Sequence, residues 1–194
     1  QGKLTLLRAY QIALIRLGKP NPNVVDSIIQ HLDPQFPASN FEQNWLLCET
    51  LAYLQSSNTA AKGIKLLQEA VTQEEQIEYA RSLRMLKQGW TVKLRTAYFE
   101  WFLKAANYRG GASFSKFIQF IRSDAEATLD EASRESLKEL LAKKPKQKSP
   151  FEVMAQAMIG RTFVKEWRLK ELSKASNTKL KGRDFERGRK MFAA

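Results

Sequence analysis

Apolar residues recur every three or four positions along most of the chain, which is the spacing of one face of an α-helix. In NWLLCETLAYL, residues 44–54, this spacing places Trp45, Cys48 and Leu51 on one face, and it returns in FSKFIQFI, residues 114–121. We find no sustained alternation of apolar and polar positions, which is the pattern of a half-buried strand. The pattern therefore predicts an all-α protein.

Turn residues group the predicted helices in pairs. No proline interrupts residues 38–144, and the helices expected from the breaks are 3–17 with 22–32, 40–55 with 59–71, 73–88 with 90–108, and 113–128 with 130–143. First helices begin 33–40 residues apart. Helical hairpins at this period favour an α-solenoid of HEAT-like or TPR-like hairpins. A compact helical bundle is the structural alternative.

Residue types at the helix ends support these boundaries. Side chains that accept hydrogen bonds from the first turn precede several helices: Asn21 or Asn23, Ser39 or Asn40, Thr72 with Glu75 as a capping box, and Ser133 less clearly. Glycines stand at helix ends, where left-handed backbone is expected: Gly18, Gly89 and the pair Gly110 and Gly111.

The composition of the chain changes near residue 145. We assign residues 1–144 to the helical repeats and the charged, proline-bounded residues 145–150 to a linker. Helical stripes follow in residues 151–181, which form a helical extension, and residues 182–194 read as a basic amphipathic helix.

The net charge of +12 is concentrated in two zones. Residues 81–122 carry nine Lys or Arg against one acidic residue, and residues 145–194 carry thirteen against five. Such zones attract phosphate backbones or acidic protein faces, although they are also common solvated surfaces.

The central zone also contains the most aromatic stretch of the chain, residues 90–111. Rings beside basic residues are what single-stranded nucleic acid requires for stacking and charge neutralisation. However, Leu94, Tyr98, Trp101 and Phe102 form one broad apolar stripe. We therefore expect these rings, Trp101 among them, to lie in the core.

Residues that could support catalysis are few. His31 is the only histidine and is expected at a helix end, while Cys48 is the only cysteine and is expected in the core. One of each is too few for a zinc site of the usual kind, and no Gly-rich phosphate loop is present. No apolar run approaches the ~20 residues of a membrane span. We expect the chain to be no enzyme by itself, with no metal and no cofactor of its own.

The last residues, FERGRKMFAA, resemble the first helix of a class I c-type cytochrome domain. In that family a helix with G-x-x-x-F, here Gly188 and Phe192, leads into the haem motif C-x-x-C-H. The glycine allows another helix to cross closely, and the aromatic ring fills the contact behind the haem. The resemblance implies that C-x-x-C-H follows shortly after Ala194 in a longer parent protein, where haem c would be attached.

The residues upstream extend this resemblance. Phe163, Val164, Trp167 and Leu172, followed by Gly182 and Arg183, look like a junction in large bacterial exported proteins. Those proteins join a dehydrogenase-like β-propeller, HEAT-like helical repeats and a C-terminal c-type cytochrome domain. The resemblance implies a periplasmic or otherwise extracytoplasmic location.

Three functional hypotheses follow. The first is a non-catalytic scaffold that positions a cytochrome for electron transfer, with neighbouring domains of the same polypeptide or an acidic protein surface as partners. The second is a nucleic-acid-binding HEAT-like domain that uses the basic zones 81–122 and 145–194. The third is a peptide- or protein-binding solenoid with a concave groove. The candidate interaction surface comprises Arg95, Lys104, Arg109, Arg161, Lys165, Arg168, Arg183 and Arg187.

Overall fold

A computed structural model describes residues 2–145 and, beyond them, residues 149, 151, 152, 155, 159, 165, 166, 168–171, 184, 187 and 188. The chain divides into two compact units, Gln1–Lys146 and Gln147–Ala194.

The first unit is built of helices. They are α1 (Gly2–Leu17), α2 (Pro22–Leu32), a 3-10 turn (Asp33–Gln35), α3 (Phe41–Leu54), α4 (Thr59–Glu69), α5 (Gln73–Leu83), α6 (Val92–Ala105), α7 (Phe114–Ala127), α8 (Glu131–Ser136) and α9 (Lys138–Ala142). No strand occurs among the residues that the structure describes. The predicted all-α class is confirmed.

Helices contact each other in an order that follows the sequence. The first helices of the hairpins pack in succession, α1 on α3, α3 on α5 and α5 on α7. Among the second helices, α4 packs on α6, and α6 packs on α8 and α9. A row of stacked hairpins would produce this succession, and the choice between a solenoid and a compact bundle stays a prediction.

Three expected caps are present. The side-chain oxygens of Asn21, Asn40 and Thr72 each accept a hydrogen bond from the backbone N–H three residues on, at 3.1, 3.0 and 3.2 Å. The prediction that Ser133 caps a helix is wrong. The side chain of Asp130 caps α8, and it accepts a hydrogen bond from the backbone N–H of Ser133 at 2.8 Å.

Several predicted helices differ in extent, and α6 spans Val92–Ala105 where 90–108 was expected. Helix α5 ends at Leu83, five residues earlier than expected. The helix expected over 130–143 is interrupted at Leu137, which leaves helical geometry at φ −104° and ψ 2°. Leu137 is also buried in the core. The interruption of the helix therefore coincides with tertiary packing of this side chain.

Left-handed backbone occurs where two of the predicted glycines stand, Gly18 at φ +77° and Gly89 at φ +74°. Gly110 and Gly111 do not adopt it, contrary to expectation. Gln55 does, at φ +66°, and it ends α3 without a glycine. Its side chain donates to the Met85 carbonyl at 3.0 Å and accepts from the Lys87 N–H at 2.8 Å. The residue with left-handed backbone is thus bonded to the turn after α5.

One hydrophobic cluster runs through the first unit from α1 to Leu137. Its largest fully buried side chains include Tyr98, Phe36, Leu32, Leu47, Leu51, Leu67, Leu83, Leu86 and Ile121. Tyr98 donates to the Ala80 carbonyl at 2.6 Å, and the Trp101 indole N–H donates to Gln76 Oε1 at 3.0 Å. The prediction that the rings of residues 90–111 belong to the core is confirmed for Trp101, which is 6% exposed.

Candidate interaction groove

Arg95 does not belong to an interaction surface, which corrects the prediction. Its side chain is 4% exposed, lies 4.3 Å from the centroid of the Trp90 ring, and donates from Nη1 to Thr128 Oγ1 at 3.0 Å. Burial lowers its pKa to about 10, against the smaller opposing effects of Tyr98 and Asp130. A charged guanidinium was expected at the surface, but from α6 Arg95 reaches Thr128 at the end of α7.

Lys104 and Arg109 are exposed, as an interaction surface requires. Lys104 also donates to Gln76 Oε1 at 3.3 Å. The backbone of Arg109 exchanges two hydrogen bonds with the Gln73 side chain, at 2.8 and 3.2 Å. Both residues therefore also brace the end of α6 against α5.

Lys165, Arg168 and Arg187 of the second unit are exposed. Lys165 forms an ion pair with Glu171 at 2.9 Å. Arg161, Arg183 and Phe192 lie outside the described residues. At Gly188, an added Cβ would meet no atom of the described residues within 4 Å, and the helix crossing that the cytochrome resemblance implies stays a prediction.

Cys48 and His31 lie in different environments. Cys48 is completely buried, and burial together with the Glu49 charge raises the pKa of its thiol far above the ordinary value. His31 is exposed. A thiol in this state is a poor nucleophile.

The structure reveals a groove whose position and lining residues the sequence did not predict. It is a cleft of about 610 Å³ where α1, α3 and α5 meet, a volume within the range of ligand-binding pockets. We call it the α1–α3–α5 groove, and it is lined by Arg8, Gln11, Leu14, Ile15, Gly18, Trp45, Glu49, Thr50, Tyr53 and Arg81.

A polar network forms one side of this groove. The buried amide of Gln11 donates to Glu49 Oε2 at 3.0 Å and to Thr50 Oγ1 at 3.3 Å. Arg81 binds Glu49 Oε1 at 3.0 Å and Glu78 Oε2 at 2.9 Å. Burial lowers the pKa of Arg81, but the hydrogen bonds and charges of these two carboxylates outweigh it and hold the pKa above its ordinary value.

Trp45 lies beside this network. The Arg8 and Arg81 guanidinium carbons lie 5.1 and 6.0 Å from its ring centroid, within the range of cation–π attraction. Its indole N–H is buried and has no hydrogen-bond partner among the described residues. The ring is therefore positioned by packing and by the two cations. A second cleft, of about 430 Å³, also includes Arg8 and Trp45 in its lining and continues along α1 and α3.

The sequence contains a weak signal for this groove. Trp45, Glu49 and Tyr53 follow each other at four-residue intervals, so they share one stripe of α3. The periodicity placed Trp45 with Cys48 and Leu51 on the core face. Cys48 and Leu51 are buried, whereas Trp45 is only partly buried at the edge of the core. Arg8 and Arg81 come from other helices, and nothing local links them to this stripe.

The first unit is thus an all-α arrangement of packed helical hairpins with a mixed polar and apolar groove. No protein-family model matches the chain, no curated protein matches it, and no solved structure matches it. In the described parts of the chain, no three histidine, cysteine or acidic side chains lie together as a metal site would need. None of the described helices is both long and apolar enough to span a membrane.

Proposed function

We propose that the first unit is a non-catalytic docking domain that binds a protein segment in the α1–α3–α5 groove. The groove itself carries the proposal, because it combines exposed apolar surface on Ile15 and Tyr53 with the oriented Trp45 ring and fixed polar groups. Binding sites are typically concave and apolar with a few well-placed polar groups.

Hydrogen bonds between hairpins support this proposal, since a docking surface needs a rigid frame. Asp33, at the end of α2, accepts from Ser56, Asn58 and Lys62 at 3.2, 3.0 and 2.9 Å. On α5, Gln76 Oε1 accepts from Trp101, Lys104 and Tyr108 of the next helix and its turn. These contacts join α2 to α4 and α5 to α6, and so brace the hairpins around the groove.

Burial of the central aromatic residues favours protein docking over nucleic-acid binding. With Tyr98 and Trp101 in the core, the basic zone 81–122 keeps charge but loses these rings for stacking. Charge alone gives non-specific binding with dissociation constants of roughly 10⁻⁴ to 10⁻⁶ M at physiological salt.

The cytochrome resemblance supplies a proposal for the biological context. In it, the docking domain positions a c-type cytochrome domain of the same polypeptide outside the cytoplasm, with haem c attached to that domain. Sequencing the parent reading frame tests this context. C-x-x-C-H is expected shortly after Ala194, and a stop codon or a different domain there would contradict it.

Peptide selection from a random phage-displayed library against the folded chain tests docking. Selected peptides should lose affinity for a Trp45→Ala variant and keep it for Phe120→Ala, which removes an exposed ring outside the groove. Helical circular dichroism must first show that both variants fold. Peptides that bind Trp45→Ala as well as the unaltered chain would exclude the groove as the docking site.

A further inference from the structure

We propose that the α1–α3–α5 groove selects an acidic peptide segment, in which an apolar side chain fills the cleft and an adjacent carboxylate binds Arg8. This inference rests on the docking function proposed above and specifies its ligand chemistry.

The apolar part of the site comes from two helices. Leu14 is buried against Val25 and Leu54, whereas Ile15 is 81% exposed and Tyr53 is 44% exposed, and all three line the cleft. An apolar side chain placed among them would remove their exposed surface from water, which is the main source of affinity for such an anchor.

The positive charges of the groove differ in how they are compensated. Arg81 is bound by two carboxylates, Glu49 and Glu78. Arg8 makes one hydrogen bond, from Nη1 to Gln11 Oε1 at 2.9 Å, and within the described part of the chain no carboxylate pairs with it. A guanidinium has five N–H donors arranged to match a carboxylate. Arg8 therefore retains donors for an incoming anion.

Arg8 is also held in place before any ligand arrives. The Gln11 hydrogen bond and the contact with the Trp45 ring restrict a side chain that is otherwise among the most flexible. Such restriction lowers the entropy lost when a carboxylate binds.

The acidic groups of the groove disfavour a basic ligand. Glu49 already accepts from Gln11 and Arg81, and the Arg81 charge compensates its negative charge. The surroundings act in the same direction, because α1 contains Lys3, Arg8 and Arg16 and no acidic residue. These cations of α1 attract anionic segments and repel cationic ones.

Titration of the full chain with three matched peptides tests the proposal. They are acetyl-Glu-Phe-Glu-Leu-Glu-amide, the same peptide with Gln in place of Glu, and the same peptide with Lys in place of Glu. The readout is the ¹H–¹⁵N resonance of the Trp45 indole, assigned by its absence from a Trp45→Phe variant. We expect the acidic peptide to bind roughly five- to tenfold more tightly than the Gln peptide, and the Lys peptide most weakly.

Arg8→Gln and Arg16→Gln form the matched pair of variants, since each removes one exposed cation from the same helix. Arg8→Gln should reduce binding of the acidic peptide to the level of the Gln peptide, and Arg16→Gln should leave the difference between the peptides intact. An equal loss in both variants would show that general charge attraction, not Arg8, selects the peptide, and would overturn the proposal.

The remaining outcomes separate the two proposals. Equal binding of the acidic and Gln peptides, with the Trp45 resonance shifted by both, would overturn the acidic preference while docking in the groove stands. Stronger binding of the Lys peptide than of the acidic peptide would also overturn the acidic preference while docking in the groove stands. Binding that leaves the Trp45 resonance unmoved, or no binding of any peptide, would overturn the ligand assignment and count against docking in this groove.

Discussion

At the scale of single residues, Arg95 is a buried cation that no carboxylate pairs with among the described residues. Its Nε is buried and lacks a hydrogen-bond partner among the described residues, and burial lowers its pKa to about 10. Folding therefore desolvates the charge, and the Trp90 ring and Thr128 hydroxyl compensate it only in part.

Replacing Arg95 with Met should raise the free energy of unfolding by roughly 1–2 kcal/mol, because an apolar side chain of similar length removes the desolvated charge. Thr128 Oγ1 would keep its hydrogen bond to the Ala125 carbonyl, at 2.7 Å. Lys93→Met, an exposed position on the same helix, should change stability by no more than about 0.5 kcal/mol. Urea unfolding measures both, and a clear loss of stability in Arg95→Met would show that stacking on Trp90 outweighs the cost of burial.

Trp101 and Phe120 offer a second comparison, between a core ring and an exposed one. Trp101→Ala should lower the free energy of unfolding by about 3–5 kcal/mol, because it leaves a cavity and removes a donor to Gln76. Phe120 is 66% exposed, so Phe120→Ala should change stability by only about 0.5 kcal/mol. Equal effects in thermal or urea unfolding would contradict the placement of Trp101 in the core.

At the scale of elements, the hairpins are joined through their turns. Asp33 links α2 to the turn before α4, and its ion pair with Lys62 is largely shielded from water, with 14% and 27% of the two side chains exposed. Burial alone would raise the pKa of Asp33. The hydrogen bonds from Lys62, Asn58 and Ser56 and the Lys62 charge outweigh it and lower the pKa below the ordinary value of 3.8.

A lowered carboxyl pKa means that the unfolded chain binds the proton more readily than the folded one. The contribution of Asp33 to stability should therefore be complete above about pH 5 and be lost as the pH falls through 3.8 to the lowered value. Asp33→Asn should cost about 1–3 kcal/mol at neutral pH and reduce this acid dependence. Asp26→Asn, at an exposed position on α2, is the control, and an identical acid dependence in Asp33→Asn would refute the assignment.

The turn after α5 approaches the turn after α3 closely enough to exclude a side chain. A Cβ at Gly89 would lie 1.8 Å from the Ser57 carbonyl oxygen, whereas a Cβ at Gly18 would meet nothing within 4 Å. Both glycines have left-handed backbone. Gly18→Ala should therefore cost about 1–2 kcal/mol for backbone strain alone, and Gly89→Ala should cost roughly 1–3 kcal/mol more. If chemical unfolding showed the same loss of stability in both variants, the turn after α5 and the turn after α3 would not be in contact.

At the scale of the whole molecule, the first unit contains its own hydrophobic core. Among the described residues, the cluster from Leu7 to Leu137 lies within Gln1–Lys146, and we expect this unit to fold by itself.

A fragment that ends at Pro145 should therefore keep its helical circular dichroism and unfold in one cooperative transition, as a single domain does. The unaltered chain is the reference for both signals. Loss of the cooperative transition in the fragment would show that the second unit contributes to the core, as a compact bundle of the whole chain would require.

The amino-acid sequence by itself determined the helical class, most helix starts and the aromatic core. Caps such as Asn40 and left-handed glycines such as Gly18 act within one turn of the chain, so their effects can be predicted from neighbours in sequence. The apolar period likewise identifies the face that must be buried, as it did for Trp101.

Only the tertiary structure decided the burial of Arg95, the interruption at Leu137 and the left-handed backbone of Gln55. It also decided the α1–α3–α5 groove, whose polar network joins Arg8 and Gln11 of α1 to Glu49 of α3 and Arg81 of α5. Each of these features depends on which distant helix or turn lies against a given residue. Helical periodicity specifies the faces of each helix, but which faces meet is set by packing among all of them at once.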